Sequence, residues 1–197
     1  SMKMFKHVYA STIRASSSSS SLLLLLRLLI FIILITNTNA ACQLTPNYLG
    51  VVTIPNTWTT INGRSFYQCL TLTKVIIPTT SILNSIGNRA FYGCTNLTTV
   101  NILNQNVPLS NIAASAFVDT SLTSFDITSN LKTINSNAFN SVSSLKTLNI
   151  ASNSVLATID SGAFEATSIS TLNLPASLTF IGGKLSSIFI FVCYNYT

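Results

Sequence analysis

The feature that most constrains this chain is a spacing that recurs five times, an Ile followed by a Phe five residues later. It occurs at Ile61/Phe66, Ile86/Phe91, Ile112/Phe117, Ile134/Phe139 and Ile159/Phe164, with Ala before the Phe in four copies and Ser65 in the first. The clearest copy lies in residues 133–150, TINSNAFNSVSSLKTLNI, where a second half adds Leu145, Leu148 and Ile150 in the pattern L-x-x-L-x-L. That half also recurs, as Leu72/Val75/Ile77, Leu97/Val100/Ile102, Leu122/Phe125/Ile127 and Ile169/Leu172/Leu174. The distance from one Phe to the next drifts through 25, 26, 22 and 25 residues while the spacing inside each motif stays fixed. Loops that absorb insertions between fixed motifs are the mark of a solenoid.

Each L-x-x-L-x-L run reads as a strand with its apolar residues inward and the intervening ones outward. The strands should lie parallel, one per turn. The Ile-x-x-x-Ala-Phe half is too short for an ordinary helix and carries Asn and Gly, so it reads as a second short extended piece followed by a tight or 3₁₀-like turn. Residues 51–54 form a short β-rich run placed to pair with the first repeat strand as an N-terminal cap. The five Phe residues stack as the large filler of the interior. A fold of this kind is a β-rich solenoid of five to six turns, spanning residues 41–183.

These residues resemble the leucine-rich repeats of the BspA type, found in secreted and surface proteins of bacteria and protists. That family's repeat has the form L-x-x-I-x-I-P … V-x-x-I-G-x-x-A-F-x-G-C. The fullest match is residues 85–102, SIGNRAFYGCTNLTTVNI, with Ile86, Gly87, Ala90, Phe91, Gly93, Cys94 and Leu97 in place. The I-P element stands at Ile54-Pro55 and Ile77-Pro78 and, as Leu-Pro, at Leu174-Pro175. The resemblance implies a leucine-rich-repeat module for recognition or adhesion.

Charge must be divided before it is interpreted. Residues 1–40 hold Lys3, Lys6, Arg14 and Arg27 and no acid, so the formal +6 of the chain falls to +2 over residues 41–197, where six cations face Asp119, Asp126, Asp160 and Glu165. Nucleic-acid binding loses its electrostatic basis with that correction. The basic start, the serine run, the apolar residues 22–35 interrupted by Arg27, and Ala40-Ala41 read as a secretory signal cut after Ala40 with Thr38 at the −3 position. An apolar stretch of that length fits a signal of about 7–15 apolar residues better than a span of about 20. A membrane association then requires the segment to stay uncleaved. Acylation at Cys42 is a second reading, although Asn39 stands where a lipoprotein signal would carry Leu. The expected location is secreted or at the cell surface. Residues 184–197 leave the repeat, because Ser186 stands where a Phe is due.

Chemistry finds little purchase here. The one histidine, His7, lies in the signal segment, which removes Ser-His-Asp and Cys-His catalysis and His-based zinc from the rest of the chain. Asp126 and Asp160 fall in different halves of the repeat, so no acid/base pair forms, and no glycine-rich phosphate loop is present. No enzyme, cofactor or metal site is expected. Cys69 and Cys94 each follow a repeat Phe by three residues, at a place taken elsewhere by Thr120, Val142 and Thr167; free thiols are expected, with a Cys69–Cys94 bridge as the alternative. Sequons stand at Asn96 and Asn195, and Asn96, in a turn, is the candidate glycan acceptor.

The ordered surface is the outward side of the strands. One column reads Lys74, Thr99, Ser124, Thr147 and Thr171, and the next Ile76, Asn101, Asp126, Asn149 and Asn173. A polar, lightly charged concave sheet suits contact with an extracellular protein or glycan. The alternative is a structural cell-wall or matrix component with no specific ligand. An ice- or crystal-binding role, which the Thr column alone suggests, conflicts with rungs of uneven length.

Overall fold

A computed structural model describes residues 42–184; the expected signal at 1–40, tail residues 185–197 and the Asn195 sequon lie outside the described residues. Two ladders of parallel strands run through the solenoid, one from each half of the repeat. The L-x-x-L-x-L half supplies β1 (Val51–Thr53), β3 (Lys74–Ile77), β5 (Thr99–Ile102), β7 (Ser124–Ile127) and β9 (Thr147–Ile150). The Ile of the other half anchors the short strands β2 (Thr60–Ile61), β4 (Ser85–Ile86), β6 (Asn111–Ile112), β8 (Thr133–Ile134), β10 (Thr158–Ile159) and β11 (Phe180–Ile181). These six pair in one continuous sheet in the order β11-β10-β8-β6-β4-β2. As the sequence leads one to expect, β1 caps the first repeat strand, with Val52 opposite Val75.

The long-strand ladder is less regular than the repeat suggests. It divides into β1-β3-β5 and β7-β9, although hydrogen bonds from Ser121 N to Leu97 O (3.0 Å) and from Ser129 N to Gln105 O (3.1 Å) still join the flanks of β5 and β7. The break falls where Phe125 takes the middle inward position held by Val75, Val100 and Leu148 in other turns, and its ring fills the room of a larger residue by packing at 58° to Phe117 and 64° to Phe139. A sixth strand was expected at Ile169/Leu172/Leu174, yet residues 169–174 form none. Beyond Ser168 N to Leu145 O (3.0 Å) no backbone bond joins this segment to β9. Leu148 and Ile150 are therefore only half-buried at the end of the ladder instead of fully enclosed.

The interior is organised by the aromatic column. Phe66, Phe91, Phe117, Phe139 and Phe164 are fully buried, and successive rings stack with centroids 5.1, 5.1, 5.0 and 5.4 Å apart. The interplanar angles stay between 5° and 14°. Such spacing follows from the stack itself, because parallel strands repeat every ~4.8 Å and each turn puts its Phe at the same place.

The turns around each Phe are tight, as the spacing leads one to expect, and their backbone donors alternate in direction. Ser65, Tyr67 and Cys69 N–H groups bond back three residues within their own turn, while Arg64, Phe66 and Gln68 donate to Asn88, Ala90 and Tyr92 of the next. The same alternation continues from turn to turn, so the bend hides few unpaired amides. It requires left-handed backbone two residues before and two after every Phe: Arg64 and Gln68, Arg89 and Gly93, Ser115 and Asp119, Asn137 and Ser141, Gly162 and Ala166. Eight of these ten are not glycine.

Ala166, at φ 56° and exposed, offers a direct test of that strain. A left-handed L-residue costs about 1–2 kcal/mol, from which the extra unfolded-state freedom of Gly subtracts about 0.5–1. Ala166→Gly should therefore raise stability by about 0.5–1 kcal/mol in denaturant melts. Gly162→Ala should lower it, since φ is 68° and an added Cβ would strike Asn137 Oδ1. A loss on Ala166→Gly would contradict the assigned turn.

The cysteines correct an expectation. Cys69 is not a free thiol but is bridged to Cys42, 27 residues away, with Cα atoms 5.4 Å apart. Cys69 and Cys94 hold equivalent positions in successive turns, but the partner of Cys69 comes from the lead-in, which folds against the first turn through Gln43 N to Ser65 O (2.6 Å). The bridge also removes the Cys42 sulfur from any acylation. Cys94 remains a free, fully buried thiol whose S–H donates to Phe66 O at 2.8 Å. Burial pushes it up to about 12, against a smaller downward pull from a backbone hydrogen bond at Cys69.

Candidate functional site

The strand register brings the expected outward residues into columns. Lys74 lies opposite Thr99, and Ile76 opposite Asn101, across β3 and β5. Across β7 and β9, Ser124 faces Thr147 and Asp126 faces Asn149. Thr99, Ser124, Thr147 and Asn149 are exposed, while Lys74, Asn101 and Asp126 are half-covered.

Hydrogen bonding separates two populations of polar residue in this Ser-, Thr- and Asn-rich chain. Many are clamps between turns. Ser121 Oγ donates to Thr95 O (2.6 Å), Ser144 Oγ to Leu122 O (2.8 Å), Ser168 Oγ to Ser143 O (2.6 Å) and Asn130 Nδ2 to Asn106 O (3.0 Å). Asn96 belongs to this group: it is exposed, but the amide nitrogen that would carry a glycan donates to Leu70 O at 2.7 Å. On the strand face, Asp126 accepts from Asn149 Nδ2 (2.8 Å) and Gln105 Nε2 (3.4 Å). The side chains of Lys74, Asn101, Ser124, Thr147, Thr171 and Asn173 hydrogen-bond to no other described residue, so their donors and acceptors are available. Asp160 stands apart from this face; Ser136 Oγ (2.7 Å) and Ser161 N (2.7 Å) donate to it and hold its carboxyl below the usual range.

Where the last turn splays from β9, the face deepens into a cleft of about 350 Å³. Lys146, Thr147, Leu148, Thr171, Asn173 and Leu174 line it. Thr171 and Asn173 thus belong to the candidate face, although from a loop and not from the strand expected there. The missing backbone pairing, invisible in the L-x-x-L-x-L pattern, is what opens the cleft.

The BspA type Leucine rich repeat region matches this chain in six copies, over residues 42–106 and 59–186. The chain belongs to this family. Among solved structures, the Treponema pallidum leucine-rich repeat protein TpLRR is 24% identical with a TM-score of 0.56, over 70% of this chain and 71% of that one. The pneumococcal vaccine antigen PcpA is 22% identical with a TM-score of 0.62, over 72% of this chain and 38% of its own length. Both likenesses establish the leucine-rich-repeat solenoid. No curated protein sequence matches the chain.

One cluster escaped the sequence reading. Tyr67 and Tyr92, each one residue after a repeat Phe, stack with centroids 5.2 Å apart at 12°, and Arg64 and Arg89 lie over their rings at 5.9 Å. The signal is an Arg-x-x-Tyr repeated at a distance of 25 residues, overlaid on the repeat Phe between them.

Proposed function

We propose that this BspA-type solenoid is a secreted or cell-surface recognition module that holds an extracellular protein or glycan on its strand face. The observation that carries this reading is the set of uncommitted polar side chains at Lys74, Asn101, Ser124 and Thr147, ending in the cleft at Thr171 and Asn173. Family membership supports a binding module over a catalyst, and the likeness to an antigen supports a surface location. Contact would rest on hydrogen bonds over a broad face. Few ion pairs means affinity that is modest and weakly dependent on salt.

The inter-turn clamps favour a second reading, because they show that abundant Ser, Thr and Asn can serve the stack alone. On that reading the chain is a wall or matrix component without a specific ligand. Thr99→Glu, Ser124→Glu and Thr147→Glu together separate the two, since all three side chains are exposed and leave the core intact. For the recognition module, capture from an array of extracellular proteins and glycans should fall about tenfold or more with an unchanged melting temperature. Undiminished capture by the triple variant, or no capture by the wild type, would support the structural component instead.

A further inference from the structure

We propose that the Arg64–Tyr67 and Arg89–Tyr92 pairs form a second recognition surface, on the Phe-bearing turns rather than the strands, for a linear acidic polysaccharide carrying carboxylate or sulfate groups. The first ground is charge. Residues 42–118 hold Arg64, Lys74 and Arg89 and no Asp or Glu, whereas residues 119–184 hold Lys132, Lys146 and Lys184 against all four acids. The first part is therefore +3 and the second −1, so the small net charge of the solenoid hides a cationic end. Among the described residues no ion pair joins either arginine to a carboxylate, and each guanidinium lies over a tyrosine ring.

The second ground is position. Arg64 and Arg89 occupy equivalent places in adjacent turns, tied by Arg64 N to Asn88 O (3.0 Å) and Phe66 N to Ala90 O (2.8 Å). Their backbones therefore repeat along the solenoid at about one strand spacing, ~4.8 Å, and the tyrosine rings that the two guanidinium groups lie over repeat at 5.2 Å, comparable with the length of a sugar unit. A polymer with an anion on successive units meets such a row in register. Guanidinium forks take carboxylate or sulfate oxygens in pairs, and the half-buried tyrosine stack supplies an apolar surface and hydroxyls beside them.

Residue choice is the third ground. Both arginines sit at φ 61° and 54°, the left-handed place that Ser115, Asn137 and Gly162 fill in later turns. Those later turns also replace the tyrosines, with Val118, Asn140 and Glu165. The repeat itself demands neither Arg nor Tyr. Left-handed strain is common to every turn, so what marks these two is the same Arg–Tyr pair placed twice in succession. The Cys42–Cys69 bridge, one residue beyond Gln68, fixes the first of these turns and so preorganises the row.

This surface is independent of the strand face, and its test can fail alone. Arg64→Gly and Arg89→Gly together remove both guanidinium groups while relieving left-handed strain, so the melting temperature should hold or rise; Arg64→Gln with Arg89→Gln is the second variant if it falls. The full chain is titrated with a sulfated polysaccharide, with polygalacturonate, with a neutral β-glucan and with poly-glutamate. Either acidic polysaccharide should bind, in a strongly salt-dependent way, and the double variants should bind about tenfold or more weakly. The tighter of the two names the anion. Comparison with the double variants also cancels the contribution of Lys3, Lys6, Arg14 and Arg27. Equal binding by wild type and both double variants, equally tight binding of the neutral glucan, or poly-glutamate binding as tight as the polysaccharides would overturn the proposal.

Discussion

Phe139→Ala is expected to lower the unfolding free energy by about 3–5 kcal/mol, the range for removing a fully enclosed Phe. Phe139 has no exposed surface and touches three other rings, stacking on Phe117 and Phe164 and meeting Phe125 at 64°. Lost transfer free energy, the cavity left at the middle of the column, and the ring pairing, itself worth about 0.5–1.5 kcal/mol, act together. The turn cannot collapse to fill the space, because Phe139 N is bonded to Ala163 O and Phe117 N to Ala138 O, both at 2.8 Å. Leu148→Ala is the informative contrast. The repeat pattern alone assigns Leu148 a central inward place and a cost of about 2–5 kcal/mol, but it is half-exposed on the last strand of its ladder, so about 1–2 kcal/mol is expected from its partial burial. Urea melts giving equal losses for the two would mean that the aromatic column does not carry the interior.

The contrast marks what the repeat made legible. Inward and outward faces, parallel pairing, the β1 cap and the Phe column follow from fixed spacing within motifs, since each spacing decides which side chains share a face. Three features do not follow from it. The left-handed pairs at Arg64/Gln68 and their counterparts are filled by Arg, Gln, Ser, Asp, Asn and Ala as well as Gly, so residue type conceals the conformation. Loss of the expected strand at 169–174 depends on backbone pairing, which the preserved Ile169, Leu172 and Leu174 cannot report; all three are still buried. The candidate face was visible as columns, but which of its polar groups are spoken for, such as Asp126 and Asn149, emerged only from their mutual bond.

The Cys42–Cys69 bridge was concealed as well, and breaking it should cost about 3.5 kcal/mol, as expected for a closed loop of its length. Its two ends are 27 residues apart in sequence. The suitable variant is Cys42→Ser with Cys69→Thr. Thr already occupies the position three after the repeat Phe in later turns, where Thr120 Oγ1 and Thr167 Oγ1 each donate to the Phe carbonyl at 2.9 Å. A threonine at 69 therefore introduces little damage of its own, and the measured loss reports the cross-link. Solenoids are held by neighbour contacts, so the loss should concentrate at the bridged end. Amides of the lead-in and β1, including Asn47 N and Gly50 N, should exchange faster, while those of β8 and β10 keep their protection. Thiol labelling gives a second reading. Of Cys42, Cys69 and Cys94, none should react in the folded, oxidised chain, since the first two are bridged and Cys94 is buried with its thiol pushed up to about 12. Unfolding without reductant should release Cys94 alone, and reductant should then add two more. A Cys69 thiol that labels without reduction would remove the bridge, and uniform loss of amide protection along the whole solenoid would show that the bridge stabilises more than the end it closes.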